Sequence, residues 1–497
     1  MNPSRRPDRR RPRGFGALSA SRSGIALLGI VSTVQFGAIP AVLSGQTVVD
    51  FVPPEPERRV VEGVPVYLIQ DNTLPLVTFY ARLEGGYARF GRENYASGMA
   101  LPALLRYGGV AGAPPDSIDR LIEHYALQTT FGGGGGAITS SVNTLSEYLN
   151  EAVELWGAML ADPGLDSTEV EIWRGRQLEQ VRRRTDDPGT LAVSRFNRMI
   201  YGDHPIGWEL TAADLSSDRL SRASVLEIAR RVMCRDNLSL GVVGDVDWNT
   251  LRPLANTLVR RFEACADSVP PTPRPQVNRD AGVFVLHRAE AAQSVLILAH
   301  TTDVRLSDDS DYYSASIGNS VLGAGGFSSR LMSRLRSERG YAYSVSSLWT
   351  TPRDYEGLLG ATTRTSPETA AAAARLIVET MNGLRLEPPT EMEVRTASDA
   401  IVNGFVFSFE NPGQIISRTM FYEAQDLPSD WLSRYVRGVQ RVTPETVHRA
   451  FLRHLRPGEM TTLVVGDTTR MDMAAFADLG PVTFLDAGEE GESSGSR

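Results

Sequence analysis

The sequence predicts an α+β fold built from two homologous domains, and three observations support this prediction. Strand-like and helix-like apolar runs are mixed along the chain without the regular alternation of a doubly wound α/β protein. A chain of 497 residues is too long for a single hydrophobic core. One sequence pattern, a helix followed by a polar turn, an apolar strand and Gly-Asp, also occurs twice, which indicates that the second half of the chain duplicates the first.

The first 45 residues have the pattern of an export signal. Several arginines precede an apolar run at residues 24–43, which is the order of a charged n-region and an apolar h-region. The run is just long enough to span a bilayer, but polar and helix-breaking residues such as Gln35 and Pro40 weaken an anchor. We therefore predict a cleaved signal at residues 1–45 and a periplasmic protein, with an N-terminal membrane anchor as the alternative.

Composition excludes two classes of function. The formal net charge is -8, and loss of the arginine-rich signal makes the remaining chain more acidic, which argues against nucleic acid as a partner. The chain contains no lysine, so it has no Walker-type phosphate-binding loop.

Cys234 and Cys265 are the only cysteines. We predict a disulfide between them, because one precedes a strand and the other follows a helix that returns to the same side.

The duplication is visible in two matching segments. Residues 235–245 read RDNLSLGVVGD, and residues 456–467 read RPGEMTTLVVGD. A helical pattern precedes each of them, at residues 223–233 and 445–455. The order of helix, polar turn, apolar strand and Gly-Asp therefore recurs, and a shared ending of this length is more specific than a single turn motif.

A proline-rich segment separates the two copies. Residues 268–280 read SVPPTPRPQVNRD, and proline fixes φ and removes backbone donors, so we predict an extended linker there. The first domain then covers residues 48–267 and the second covers residues 281–485. The short polar tail at residues 486–497 is predicted to be disordered.

The elements of each domain follow from local patterns. In the first domain, two strands flank a turn at Asp71-Asn72, and three helical patterns come after them. The second domain opens in the same way, with two strands. The predicted strands are at residues 66–70, 75–83, 283–287 and 294–300, and the predicted helices are at residues 97–107, 116–125 and 145–160.

Residues 325–345, GGFSSRLMSRLRSERGYAYSV, form the most informative segment. It combines a double glycine, a short amphipathic segment that contains Arg336, and a strand that begins near Tyr343. Gly340 is a natural residue to end a helix. The pattern therefore places a guanidinium and a phenol at one helix-to-strand corner. Taken alone, this pair would be an ordinary surface arginine and a half-buried tyrosine.

This segment resembles the C-terminal-domain signature of the insulinase/pitrilysin family, zinc metallopeptidases with an inverted H-x-x-E-H motif that include the mitochondrial processing peptidase. The resemblance covers about residues 48–485. It implies two α+β domains, each with an antiparallel-rich sheet packed against helices, as in the LuxS/insulinase-like metalloenzyme fold. In relatives, the tyrosine hydroxyl stabilises the oxyanion and the arginine holds the peptide backbone. The resemblance thus implies these catalytic roles for Tyr343 and Arg336.

Two glycine-containing segments are further candidates for substrate contact. Gly325, Gly326 and Phe327 are predicted to bind substrate, because glycine allows a peptide backbone to approach closely, although a plain strand-to-helix turn explains them equally well. Residues 132–136 are five glycines at the place where active relatives have the sheet edge that pairs with substrate. A flexible hairpin tip is the simpler interpretation of that run.

The zinc motif of the family is missing from this chain. Two His and one Glu on a helix, with a Glu from a later helix, bind and use the metal in active relatives. Gln180 stands at the position of that later Glu, and the adjacent Glu179 points about 100° away from it on a helix. Two alignments of the helix at residues 98–109 place these side chains at the His, Glu and His positions: Leu101, Leu104 and Leu105, or Met99, Pro102 and Ala103.

The histidines do not replace the motif. None of the six pairs with another at the i, i+4 spacing of a helical metal site, so we expect ordinary surface or hydrogen-bonded roles for all of them. We therefore predict no metal and no other cofactor in this chain. The six are His124, His204, His287, His300, His448 and His454.

These patterns predict a zinc-free subunit of an exported insulinase-family peptidase. It would hold peptide substrates and supply Arg336 and Tyr343, while a zinc-bearing sister subunit supplies the metal, as in heterodimeric relatives. The first alternative is a peptide-binding or structural scaffold subunit with no role in proteolysis, like core subunits of respiratory complexes. Retention of the Arg/Tyr pair counts against that alternative. The second is a self-sufficient peptidase with an unrecognised metal site.

Overall fold

Two six-stranded sheets organise the protein. The computed structural model describes residues 55–289, 291–407, 409 and 411–486, and the predicted export signal lies outside them, as does all but the first residue of the predicted tail. The first sheet has the strand order β1-β2-β6-β3-β5-β4 and is mostly antiparallel, with a parallel β2–β6 pair. Its strands are β1 (Glu57–Val61), β2 (Val64–Gln70), β3 (Leu76–Glu84), β4 (Gln128–Gly133), β5 (Ala137–Leu145) and β6 (Leu238–Gly244).

Helices cover the first sheet because their apolar side chains pack against its alternating strands. Every second residue of β3 is buried, as expected for a strand with one face on a core. The largest core of the protein lies between this sheet and its helices. The helices of this half of the sequence are α1 (Tyr95–Tyr107), α2 (Pro115–His124), α3 (Leu149–Ala161), α4 (Ser167–Arg183), α5 (Pro188–Tyr201), α6 (Arg222–Val232) and α7 (Trp248–Val259).

The second sheet repeats the arrangement of the first, with the strand order β12-β7-β11-β8-β10-β9. Its strands are β7 (Gly282–His287), β8 (Ser294–Thr302), β9 (Ala342–Trp349), β10 (Gly357–Thr365), β11 (Thr461–Gly466) and β12 (Val482–Leu485), and its helices are α8 (Ser310–Asn319), α9 (Ala370–Leu386), α10 (Glu391–Phe407), α11 (Pro412–Ala424), α12 (Trp431–Gln440) and α13 (Pro444–His454).

The two sheets share one topology over five strands. The order β2-β6-β3-β5-β4 in the first sheet matches β7-β11-β8-β10-β9 in the second, and β7–β11 is parallel like β2–β6. The Gly-Asp pairs found in the sequence follow the equivalent strands β6 and β11. The prediction of two homologous α+β halves, each an antiparallel-rich sheet packed with helices, is therefore confirmed.

Each sheet is covered on its second face by a helix from the other half of the sequence. Helix α5 packs on β8 and β11 of the second sheet, and helix α11 packs on β2, β3 and β6 of the first. Strand β8 is buried along its whole length because helices cover both of its faces. Both helices begin with Pro and Gly after a side-chain cap, Asp187 for α5 and Asn411 for α11.

The predicted disulfide is present. Cys234, after helix α6, is bonded to Cys265, which follows helix α7, and their Cα atoms are 5.0 Å apart. The bond ties the start of the proline-rich segment to the turn before β6. That segment, residues 268–280, has no helix or strand, and its role as a linker between domains stays a prediction. In the part of the chain that the structure describes, no helix is long and apolar enough to cross a membrane.

Candidate functional site

The segment between α8 and β9 places the Arg/Tyr pair. Helix α8 continues as a π-helical turn at Ser320–Ala324, and a second π-helical stretch, Met332–Glu338, carries Arg336. Gly340 ends it with φ +65°, and the Tyr341 amide donates to Leu335 O at 2.8 Å. Strand β9 starts directly afterwards at the open edge of the second sheet. π-Helical turns are rare in proteins as a whole, and those that occur often lie at functional sites.

Phe327, Arg336 and Tyr343 meet at this corner, and we call these three side chains the aromatic–arginine stack. The Arg336 Cζ atom lies 4.7 Å from the centroid of the Phe327 ring and 4.8 Å from that of the Tyr343 ring. Both rings are exposed, Phe327 by 73% and Tyr343 by 79%. The guanidinium thus bridges two exposed aromatic rings by cation–π contacts. Large aromatic side chains with this exposure are typical of binding surfaces.

The guanidinium of Arg336 makes no hydrogen bond or ion pair with any described residue. Its neighbours on the same segment differ in this respect. Arg330 forms a bidentate pair with Glu393 at 2.7 and 2.9 Å, and Arg334 donates to Thr380 at 2.9 Å. The helical segment is therefore fixed by Arg330 and Arg334, while Arg336 keeps its donors available.

Glu393 is the supporting residue that the sequence analysis missed. It lies in the first turn of α10, accepts hydrogen bonds from the amide and hydroxyl of Thr390, and returns one to Thr390 through its own amide. Hydrogen bonds from Arg330 lower the pKa of Glu393 to about 2. Residues 390–393, TEME, are a capping-box pattern, so the sequence did contain a signal for a helix start here.

The local backbone structure explains why glycine occupies positions 325 and 326. The Gly325 amide donates to Ser320 O at 2.9 Å, and a Cβ at Gly325 would lie 2.6 Å from that oxygen. Gly326 has φ +66°, which favours glycine, and the space around it is open. They join two helical turns, whereas the sequence suggested a strand-to-helix turn. Their contact with substrate stays a prediction, as do the roles of Arg336, Tyr343 and Phe327.

Helix α1 distinguishes the two alignments of the missing zinc motif. Leu101, Leu104 and Leu105 are buried in the core of the first sheet, so that face cannot reach solvent or substrate. Pro102 instead faces edge strand β4, where a Cβ at Gly133 would lie 2.5 Å from its Cγ. Met99, Pro102 and Ala103 are therefore the side chains that stand at the His, Glu and His positions of the motif. Thioether, pyrrolidine and methyl groups do not provide the ligands of a zinc site.

The fourth ligand position is also unsuited to zinc. Gln180 is exposed on helix α4, and the neighbouring Glu179 forms an ion pair with Arg183 at 2.6 Å. The described residues contain no group of three or more His, Cys, Asp or Glu side chains that could hold a metal ion. The residues of this chain do not fit the zinc that the family carries.

The histidines have structural partners, as expected from their spacing. Burial lowers the pKa of His300, whose Nδ1 donates to the Thr301 carbonyl at 2.8 Å while Nε2 accepts from the Arg456 amide at 3.0 Å. His454 lies between Asp303 and Asp311, at 3.1 and 2.8 Å. The others contact backbone carbonyls, a threonine or a tyrosine ring: His204, His448, His287 and His124.

The five-glycine run is held to the neighbouring turn. Gly85 donates to the Gly136 carbonyl at 2.8 Å, and Ala88 donates to that of Gly135 at 3.1 Å. A Cβ at Gly86 would lie 1.9 Å from the Gly134 carbonyl oxygen, so the backbones are in direct contact. The run ends β4 and forms the turn of the β4–β5 hairpin, where the simpler interpretation placed it, but these backbone contacts hold the tip that was expected to be flexible. Strand β4 leaves one edge of the first sheet open beside it.

Comparisons with known proteins agree with this architecture. Residues 219–401, which include Arg336 and Tyr343, match the family described as Peptidase M16 inactive domain. An uncharacterized zinc protease of Mycobacterium tuberculosis is 27% identical over 348 residues, covering 67% of this chain and 77% of that protein. One from Streptomyces coelicolor is 24% identical over 323 residues, covering 63% and 68%.

Solved structures share the fold. A peptidase M16 inactive domain from Pseudomonas fluorescens has a TM-score of 0.74 at 21% identity, covering 84% of this chain and 99% of its own. The periplasmic protease PqqL of Escherichia coli has a TM-score of 0.70 at 14% identity, covering 88% of this chain and 49% of its own. Residues 219–401, which carry the Arg/Tyr segment, thus match a domain of the M16 (insulinase/pitrilysin) family, and solved M16 structures share the fold of the chain.

Proposed function

We propose that this chain is the zinc-free subunit of an exported insulinase-family peptidase, and that it holds peptide substrates for a zinc-bearing partner subunit. The aromatic–arginine stack carries the proposal. It offers a free guanidinium and an exposed phenol, whereas the place of the zinc motif holds Met99, Pro102 and Ala103. A chain that cleaved peptides alone would need both the stack and a zinc motif.

The two polar groups of the stack suit different parts of a peptide bond. The Tyr343 hydroxyl can donate to a carbonyl oxygen on which negative charge develops, and Arg336 can hold a neighbouring carbonyl of the backbone. Neither residue activates water, so bond cleavage depends on the partner. The match of residues 219–401 to an inactive peptidase domain supports this division.

The compartment and the partner belong to the same proposal. The N-terminal sequence supports export to the periplasm, and the similar fold of a periplasmic protease agrees with that compartment. We propose that the partner is an insulinase-family sister subunit with an intact H-x-x-E-H motif. Its zinc site would face the open edge of the second sheet across a chamber that holds the peptide.

The test combines metal analysis with reconstitution. The purified chain is expected to bind no stoichiometric zinc and to cleave no peptide, because the ligand positions are apolar or neutral. Adding it to a zinc-motif homologue from the same organism should give a stable complex with higher peptidase activity than the homologue alone. Chelator-sensitive proteolysis by the isolated chain would contradict the proposal, and failure to associate would favour a scaffold.

A further inference from the structure

The charge at the aromatic–arginine stack is not neutralised. The Arg336 guanidinium has no acidic partner among the described residues, and the exposed Arg339 one turn later has none either. By contrast, Arg330 pairs with Glu393 at 2.7 Å, and Arg334 lies 3.8 Å from Glu379. Arg336 and Arg339 therefore leave positive charge exposed at this corner of a chain whose formal net charge is -8.

The stack also restricts how Arg336 can bind a ligand. The aromatic rings of Phe327 and Tyr343 take up the space around its Cζ atom at 4.7 and 4.8 Å, and the planar guanidinium presents its N–H donors in a fixed fork. A carboxylate matches this fork with two parallel, charge-assisted hydrogen bonds, whereas a neutral carbonyl offers a single, uncharged oxygen. The exposed rings offer apolar surface next to it.

We infer that the stack is a carboxylate-binding subsite, and that the preferred peptides carry a carboxylate next to an apolar or aromatic residue. Arg339, three residues further along the same segment, is a second exposed positive charge. The inference rests on the proposed function, because it names the substrate class of the same site. Both the free C-terminus of a peptide and an Asp or Glu side chain supply this chemistry.

The test measures binding of labelled octapeptides to the isolated full-length chain by fluorescence anisotropy. One neutral sequence ending in Phe is made as the free acid and as the amide, and the amide is also made with one internal Glu. At least one carboxylate-bearing peptide should bind tenfold or more tightly than the neutral amide, within the range of a charge-assisted pair. Tighter binding of the free acid identifies a C-terminal carboxylate, and tighter binding of the Glu peptide identifies a side chain.

Variants of the chain connect the preference to the stack. Arg336→Gln should abolish the difference between the peptides, and Arg336→Lys should keep only part of it because lysine lacks the planar fork. Arg449→Gln removes the same charge from an exposed position on α13 and should leave the preference unchanged. Equal binding of all peptides, no binding, or a preference that survives Arg336→Gln would overturn the inference. Activity of the chain with its partner would still support the proposed function in those cases.

Discussion

At the scale of residues, Arg336 lies between the rings of Phe327 and Tyr343, and the ion pair of Arg330 with Glu393 holds the segment that carries it. Arg336, Tyr343 and Phe327 could be selected because their spacing within one segment resembles a family signature, and the structure brings them together. Glu393 could not be linked to them, because its contact with Arg330 crosses 63 residues of sequence. Its capping box predicts a helix start, but a local pattern does not reveal a distant partner.

Glu393→Gln is expected to lower the free energy of unfolding at pH 7 by about 2 kcal/mol, because it breaks a bidentate pair of which both side chains are only about a quarter exposed. The folded-state pKa of about 2 lies below the ordinary value of 4.5, so this stability is fully present above pH 4.5 and is lost as the pH falls toward 2. Urea unfolding of both proteins at several pH values checks this.

The control for that measurement is Glu379→Gln. Glu379 lies 3.8 Å from Arg334 and is 64% exposed, so its loss should change the stability by less than about 0.5 kcal/mol. A difference between Glu393→Gln and the parent protein that stays constant down to pH 2 would show that Glu393 is not held as a carboxylate by Arg330.

At the scale of elements, apolar patterns located some strands and missed others, both at a sheet edge (β4) and inside the sheets (β5 and β10). Strands β2, β3, β7 and β8 were predicted from their apolar runs. Strand β4 was not, because glycines replace the side chains that would alternate. The helix predicted at residues 145–160 begins later, at Leu149, since β5 continues through Leu145. The π-helical turns around Arg336 have no sequence pattern that distinguishes them from α-helix.

Helix α5 should connect the stability of the two sheets. Phe196 is 1% exposed and packs in the core between α5 and the second sheet, although the chain around it belongs to the first half. Phe196→Ala is expected to cost about 3–5 kcal/mol and to leave a single unfolding transition. Phe407→Ala is the matched control, because Phe407 is 66% exposed and its loss should cost less than about 0.5 kcal/mol.

The measurement is denaturant unfolding followed by far-UV circular dichroism and by tryptophan fluorescence. Trp156 reports on the first core, while Trp349 and Trp431 report on the second. Coincident midpoints in both proteins would support one cooperative unit. Two separate transitions in the parent protein, or a cost for Phe196→Ala no larger than that of the control, would show that the sheets unfold independently.

The disulfide is the second prediction at this scale. Closing a loop between residues 31 apart is expected to contribute about 3 kcal/mol. The variant Cys234→Ser/Cys265→Ser should therefore melt several degrees below the oxidised protein, and reductant should bring the parent protein down to the same temperature. The prediction would be contradicted if the parent protein melted at the same temperature with and without reductant, and at the same temperature as the variant.

At the scale of the whole molecule, the duplication was predictable and the exchange of helices was not. Two Gly-Asp endings predict two related halves, and the strand orders confirm them. The sequence does not say which sheet a helix covers, because α5 and α11 are amphipathic whichever sheet they face. The described residues form one compact unit in which each half completes the other. In this arrangement, β4 and β9 are edge strands of their sheets.

The most direct test of a zinc-free, substrate-holding subunit is the turnover of the reconstituted pair. With a zinc-bearing sister subunit, Tyr343→Phe is expected to reduce turnover by about one to three orders of magnitude, the range for loss of an oxyanion donor. Arg336→Ala should also weaken peptide binding. Tyr107→Phe, an exposed tyrosine on α1, is the control and should leave turnover unchanged. Folding and association should be unaffected in all three variants. Full activity of the double variant Arg336→Ala/Tyr343→Phe in the complex would contradict the account.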